Sequence, residues 1–253
     1  HAQAHGGPAA GPGIPGGPGM TRRLPPPLVG LVGPWFQKSS ADSADGKGQE
    51  SRLVKAEAHE LIARARSALG GGLRGLLLRV PELDDGAALD LAQELRALLT
   101  QLDSPDTWLG LHDRPHLVAA AGADAVHLGF RSLSPARVRG ILGPDTAIGF
   151  SSHAGDGPQD WRGADYLFHG PVFATPSKTG LVEPLGASAL RAFAASCDLP
   201  VWALGGITRR GVAHLANGFR PCGVALLSGI IGAPDPGAAA AEMLTALGST
   251  TNS

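Results

Sequence analysis

The chain has 253 residues, with 21 Lys plus Arg against 22 Asp plus Glu and a formal net charge of -1. A length near 250 suits one α/β barrel as well as two smaller units. The balanced charge supplies no field for gripping a polyanion, which excludes nucleic acid and the membrane surface as expected partners. Cys197 and Cys222 are too few for a disulfide framework or a zinc site and suit a reducing cytoplasm, and neither reads as a nucleophile. No uncharged apolar run approaches the roughly 18 residues of a spanning helix, and no stretch reads as a signal peptide.

Residues 1–19 (HAQAHGGPAAGPGIPGGPG) hold eleven glycines and prolines and almost no large apolar side chain. Nothing there offsets the entropy of ordering, so a disordered low-complexity extension is expected, with Met20 reading as a start after upstream read-through. Residues 20–248 are expected to form the folded unit and 249–253 a tail. Gln37–Gln49 is polar and loop-like, with the composition of a mobile lid.

From Leu28 onward short apolar runs alternate with longer helical-period segments, the βαβα pattern of a parallel sheet. The predicted strands are Leu28–Val32, Gly75–Val80, Thr107–His112, Ala125–Gly129, Ala147–Ser151, Tyr166–Gly170, Val201–Gly205 and Gly223–Ser228. Helices are predicted over Glu50–Leu69, Gly86–Leu102, Pro115–Ala121, Ser134–Leu142, Pro158–Trp161, Ala187–Ala195, Arg209–Ala216 and Pro236–Leu247. Ser134-Pro135 and Asp235-Pro236 read as N-cap and first-turn proline. Eight βα units with room for right-handed crossovers predict an α/β fold, a (βα)8 TIM barrel in a single domain. An open doubly wound sheet would need a glycine fingerprint after the first strand, and Gly30-Leu31-Val32-Gly33-Pro34 lacks its spacing.

In such a barrel the chemistry sits at the strand C-termini. Four of the nine histidines fall there: His112, His127, His153 and His169. Gly205 and Gly206 after the seventh strand, and Ser228 and Gly229 after the eighth, read as a phosphate cradle, because glycine admits an anion close to the backbone and helix N-termini attract it. Tight turns alone would also use those glycines. Arg79, closing an apolar strand, is costly to bury without an anionic partner and so reads as functional. His127 has a bland alternative as a satisfied structural histidine, and His59 and His214 read as surface residues.

Five ordered stretches carry a resemblance: Gly122–Gly129, Ile148–His153, Gly170–Lys178, Pro200–Ile207 and Val224–Ile230. Together they resemble the thiamine phosphate synthase/TenI family. The resemblance implies a barrel acting on a small phosphorylated thiazole in thiamine biosynthesis. It implies ligand contacts at Arg79, His112 (where the family usually has asparagine), Asp113, His127, Ser151, Thr175, Ser177 and Lys178. A synthase joins a pyrimidine pyrophosphate to thiazole phosphate with magnesium. Its Gln-x-Arg-x-Lys motif falls on Leu77, Arg79 and Pro81, and its paired aspartates on Asp113 and Ser132, with Arg131 beside the latter.

Each lost contact to a developing anion can cost about 3 kcal/mol. The expectation drawn from those departures is a TenI-like isomerase, a metal-independent thiazole tautomerase with no cofactor, in which His153 shuttles a proton. The alternatives are a divergent synthase, which alone would bring in magnesium, and a non-catalytic binder of thiazole or thiamine phosphates. A homo-oligomer is left open.

Overall fold

The computed structural model of the chain describes residues 22–33, 47–175, 183–216 and 222–249. Within them eight parallel strands close into one barrel in chain order: β1 (Leu28–Val32), β2 (Gly75–Leu78), β3 (Trp108–His112), β4 (Ala125–Leu128), β5 (Ala147–Ser152), β6 (Tyr166–His169), β7 (Val201–Leu204) and β8 (Gly223–Leu226). Around them lie α1 (Lys47–Gly70), α2 (Asp85–Thr100), a 3-10 turn at Pro115–Leu117 running into α3 (Val118–Ala121), α4 (Pro135–Leu142), α5 (Gly186–Ser196), α6 (Arg209–Ala216) and α7 (Pro236–Ser249). The single-domain (βα)8 barrel expected from the sequence is the fold observed. No described helix is long and apolar enough to cross a membrane.

Several strands stop a residue or two before their predicted ends, because the last residues leave the ladder to begin loops. Arg79, just past β2, still donates its N–H to Val32 O at 2.8 Å. The helix expected near Pro158–Trp161 is instead a run of turns. It is flanked by Gly155 and Gly163, whose φ of 91° and 94° lie outside the helical region. Trp161 packs against Phe193 of α5 at 5.7 Å and covers the barrel in place of a helix. Ser134 occupies the N-cap position before Pro135, but its side chain makes no capping bond. Asp235 does cap α7, its Oδ1 accepting from Ala238 N at 3.0 Å. Residues 1–19 and most of Gln37–Gln49 lie outside the described residues, and 47–49 already belong to α1.

All eight strands are buried, so polarity does not mark their two faces; size does. Outward residues such as Leu76, Leu109, Val126, Ile148 and Leu167 pack under the helices. Inward residues form a second core: Val29, Leu31, Leu77, Trp108, Ala125, Ala147, Tyr166, Phe168, Trp202 and Ala225. Its bulk is aromatic, with Trp108 and Trp202 meeting Tyr166 edge-on at 6.2 and 5.8 Å. These rings lean over inward glycines of their own or a neighbouring strand. A Cβ on Gly110 would lie 2.5 Å from Trp108 Cη2, and one on Gly149 would lie 2.2 Å from Tyr166 Cζ.

The bottom of the barrel is closed by residues 22–27. Trp108 Nε1 donates to Arg23 O at 3.0 Å and Trp202 Nε1 to Pro26 O at 2.9 Å, which supplies the partner each buried indole requires. Arg22 pairs with Asp165, and Arg23 with Asp124 at 3.3 Å. Both aspartates are nearly buried, and each precedes an even-numbered strand. Each also accepts a backbone N–H from the strand before it, Leu109 N at 2.8 Å and Ile148 N at 2.7 Å. Arg96 of α2 and Arg139 of α4 complete the two clusters. A cavity of about 810 Å³ opens on this face between Leu24, Trp108, Leu215 and Leu247. In barrels of this kind the N-terminal face serves stability rather than chemistry.

Gly110→Ala is therefore expected to overpack the interior and lower stability by about 1–3 kcal/mol. Urea denaturation followed by tryptophan fluorescence checks it, and an unchanged midpoint contradicts the aromatic-over-glycine packing.

Candidate functional site

The polar residues at the opposite end come from consecutive strands that the barrel brings side by side. His112 ends β3 pointing inward, and Asp113 follows with φ 58°, a left-handed conformation that turns its carboxylate back over the mouth. Asp113 Oδ1 accepts a hydrogen bond from Ser132 Oγ in the next loop, and Ser132 Oγ also accepts Gly129 N–H at 2.7 Å. The two positions implied as a metal pair are thus in contact, as one carboxylate and one hydroxyl. Arg79 lies exposed at the end of β2 and makes no ion pair among the described residues. The premise that it is buried is corrected: the residue after the last ladder position emerges at the rim.

His112 Nδ1 lies 3.3 Å from Asp113 Oδ2. Burial lowers its pKa, Asp113 opposes that shift and the Arg79 charge adds to it. His127 lies deeper, 1% exposed, with Nε2 at 2.9 Å from Ser151 Oγ and Nδ1 at 3.4 Å from Tyr166 Oη. Burial holds its imidazole well below the usual range. With both ring nitrogens engaged and no exposed face, it meets a ligand only through its neighbours.

His153 stands just past β5. Its backbone N–H donates to Asp156 Oδ2 at 2.7 Å, with Nδ1 3.6 Å from the same oxygen, and its ring meets Phe130 edge-on at 6.1 Å. His169, expected near the site, faces outward from β6. It bonds Ser152 Oγ at 2.8 Å, stacks on Phe193 at 3.7 Å, and burial pushes its pKa to about 4. Burial thus disfavours the charged form of His112, His127 and His169 alike.

Gly205 and Gly206 take φ of 91° and 65° and pack against the loop after β6, where a Cβ on Gly206 would lie 2.5 Å from Phe173 O. Both are needed by that packing whatever the loop binds. Thr208 then opens α6, accepting Gly211 N–H at 3.1 Å. Ser228 and Gly229, expected at a strand-to-helix turn, instead lie in a turn closed by Gly232 N–H donating to Leu227 O at 3.1 Å, and α7 starts only at Pro236. Ideal Cβ geometry at Gly229 falls 3.6 Å from Ile207 O, which sets the seventh and eighth loops side by side. Thr175 is half-buried at the edge of this region, whereas Ser177 and Lys178 lie outside the described residues.

A family model described as thiamine monophosphate synthase matches residues 51–230. The chain belongs to the thiamine monophosphate synthase family. It is 37% identical over 187 residues to the thiamine-phosphate synthase of Anaeromyxobacter dehalogenans, covering 73% of this chain and 82% of that protein. A thiamine-phosphate synthase of Desulfitobacterium hafniense is 37% identical over 191 residues, covering 73% and 88%. The fold resembles thiamine phosphate pyrophosphorylase of Pyrococcus furiosus, with a TM-score of 0.68 at 24% identity over 90% of this chain and 98% of that one.

This finding overturns the expected isomerase. The relatives carry the name of a transferase, and the matches do not set a TenI branch apart from a synthase branch. Counting departures one position at a time misled. Leu77 belongs to the apolar interior at 1% exposure, and Ser132 still reaches Asp113. Asp156, Tyr166 and the Ser152–His169 pair were not singled out from sequence. Tyr166 alone carried a signal, as the chain's one tyrosine inside an apolar strand, with a hydroxyl needing a partner.

His169 ties this family member's stability to pH. Its folded pKa of about 4 lies below the ordinary 6.5, so between those values the unfolded chain holds the extra proton and stability falls as pH falls. Burial of His112 and His127 acts in the same direction. Urea midpoints at pH 7 and pH 5 are expected to differ less in His169→Gln than in the unsubstituted chain. Equal pH dependence in the two contradicts the assignment.

Proposed function

We propose that the chain is a thiamine-phosphate synthase, a transferase joining a pyrimidine pyrophosphate to a thiazole phosphate with release of pyrophosphate. The observation that carries this reading is the mouth itself: a carboxylate–hydroxyl pair, Asp113 and Ser132, on the same rim as the exposed Arg79, in a chain kin to proteins of that name over most of its length. In the reaction the carbon–oxygen bond to pyrophosphate breaks with its electron pair on oxygen, and the thiazole nitrogen bonds the carbon.

Arg79 meets the leaving pyrophosphate, its guanidinium matching phosphate geometry in two-pronged fashion. Arg131, whose guanidinium sits 5.1 Å over the Phe130 ring, adds a second cation beside Ser132. It serves here as a charge for the same anion. The backbone of the adjacent seventh and eighth loops holds the thiazole phosphate, with Lys178 assigned to pyrophosphate by resemblance. Burial disfavours the imidazolium form of His112, so that ring competes less with a metal cation for the Asp113 carboxylate.

Among the described residues no three His, Cys, Asp or Glu side chains cluster. Magnesium, however, takes one or two carboxylates and completes its shell with water and substrate phosphate oxygens. Asp113 with Ser132 fits that demand and would hold the ion. When bound, magnesium neutralises charge on the departing pyrophosphate.

Supplied with magnesium and both phosphorylated precursors, the purified chain is expected to form thiamine phosphate, measured by chromatography. Arg79→Ala is expected to lower kcat about 100-fold or more, and chelation of the metal to abolish turnover. A wild-type chain that forms no product refutes the reading.

A further inference from the structure

Behind Ser151 lies a buried polar chain that the steps above leave unused. His127 on β4, Gly149 on β5 and Tyr166 on β6 are register partners across three adjacent strands. Gly149 has no side chain, so the imidazole and the phenol meet over it. A Cβ there would lie 2.4 Å from His127 Nδ1 and 2.2 Å from Tyr166 Cζ. Ser151, the next inward residue on β5, sits one layer higher and half-exposed at the mouth.

The hydrogen-bond sense of this chain follows from satisfying its deepest member. Tyr166 is fully buried, and its hydroxyl reaches one partner among the described residues, His127 Nδ1 at 3.4 Å. If Nδ1 carried the proton, the phenolic O–H would be left buried with no acceptor, which natural interiors avoid. The phenol must therefore donate to Nδ1. An imidazole whose Nδ1 accepts a hydrogen bond carries its proton on Nε2. Nε2–H donates to Ser151 Oγ at 2.9 Å.

We infer that Tyr166 and His127 are positioning residues that fix Ser151 as a hydrogen-bond donor, its own proton turned out of the barrel toward an acceptor atom on the bound precursor. This rests on the synthase reading only for the identity of that precursor. A free serine hydroxyl rotates among donor and acceptor poses, whereas one whose lone pair is held from below presents its proton upward, so less order is lost on binding.

The test uses the full chain and two readouts. In nitrogen-15 spectra at pH 7 the His127 imidazole is expected to carry its proton on Nε2, and a proton on Nδ1 overturns the inference. By calorimetry without metal, Ser151→Ala is expected to weaken binding of either the pyrimidine pyrophosphate or the thiazole phosphate about tenfold. Ser151→Thr should restore most of it. Tyr166→Phe, which keeps the packed ring, should weaken the same precursor at least threefold, and combining it with Ser151→Ala should cost nothing beyond Ser151→Ala alone. Additive losses, or an unchanged affinity in Tyr166→Phe, also overturn the relay. A wild-type chain that binds the precursors but does not condense them refutes the synthase reading and leaves the relay standing; one that binds neither overturns both.

Discussion

Filling the barrel interior is the constraint on which the rest depends. Eight short strands enclose a space that side chains must occupy at crystal-like density. This chain does so with Trp108, Tyr166, Phe168 and Trp202, set against inward glycines that give the rings room. Large rings low in the barrel consume the apolar volume there. Their polar tips must then find partners: the two indoles reach down to the backbone of residues 22–27, and the phenol reaches up to His127. One packing solution thus closes the bottom and prepares the top.

At the top, burial separates the titratable groups by role. Desolvation disfavours the imidazoles of His112, His127 and His169 as cations, and His127 and His169 serve as hydrogen-bond parts. Arg79 and Arg131 stand exposed at the rim. A mouth where burial disfavours the inward imidazoles as cations, and where exposed arginines stand on the rim, is the setting on which the proposed transferase reading draws. The left-handed backbone at Asp113 belongs to the same design, since it brings the carboxylate onto Ser132 from a different loop.

The isomerase expectation failed for a physical reason of wider use. A motif position lost in sequence is a lost interaction only if its side chain faces the ligand and nothing else supplies the same charge. Leu77 lies in the interior core, and Arg131 adds charge near a position where a carboxylate was expected. Neither fact can be weighed from spacing.

The barrel and the end of it at which polar side chains gather are legible in the sequence, because hydrophobic period and turn residues are local signals that eight βα repeats reinforce. It also marked Arg79, Asp113 and Ser151 through motifs that sit at strand ends. The tertiary structure alone fixes which histidines face inward, that His169 belongs to the helix layer, that Ser228 and Gly229 sit in a turn set apart from the start of α7, and that Tyr166 stands behind Ser151. Those outcomes depend on register between strands that are far apart in the chain, and a shift of one residue would exchange the inward and outward faces of every one of them.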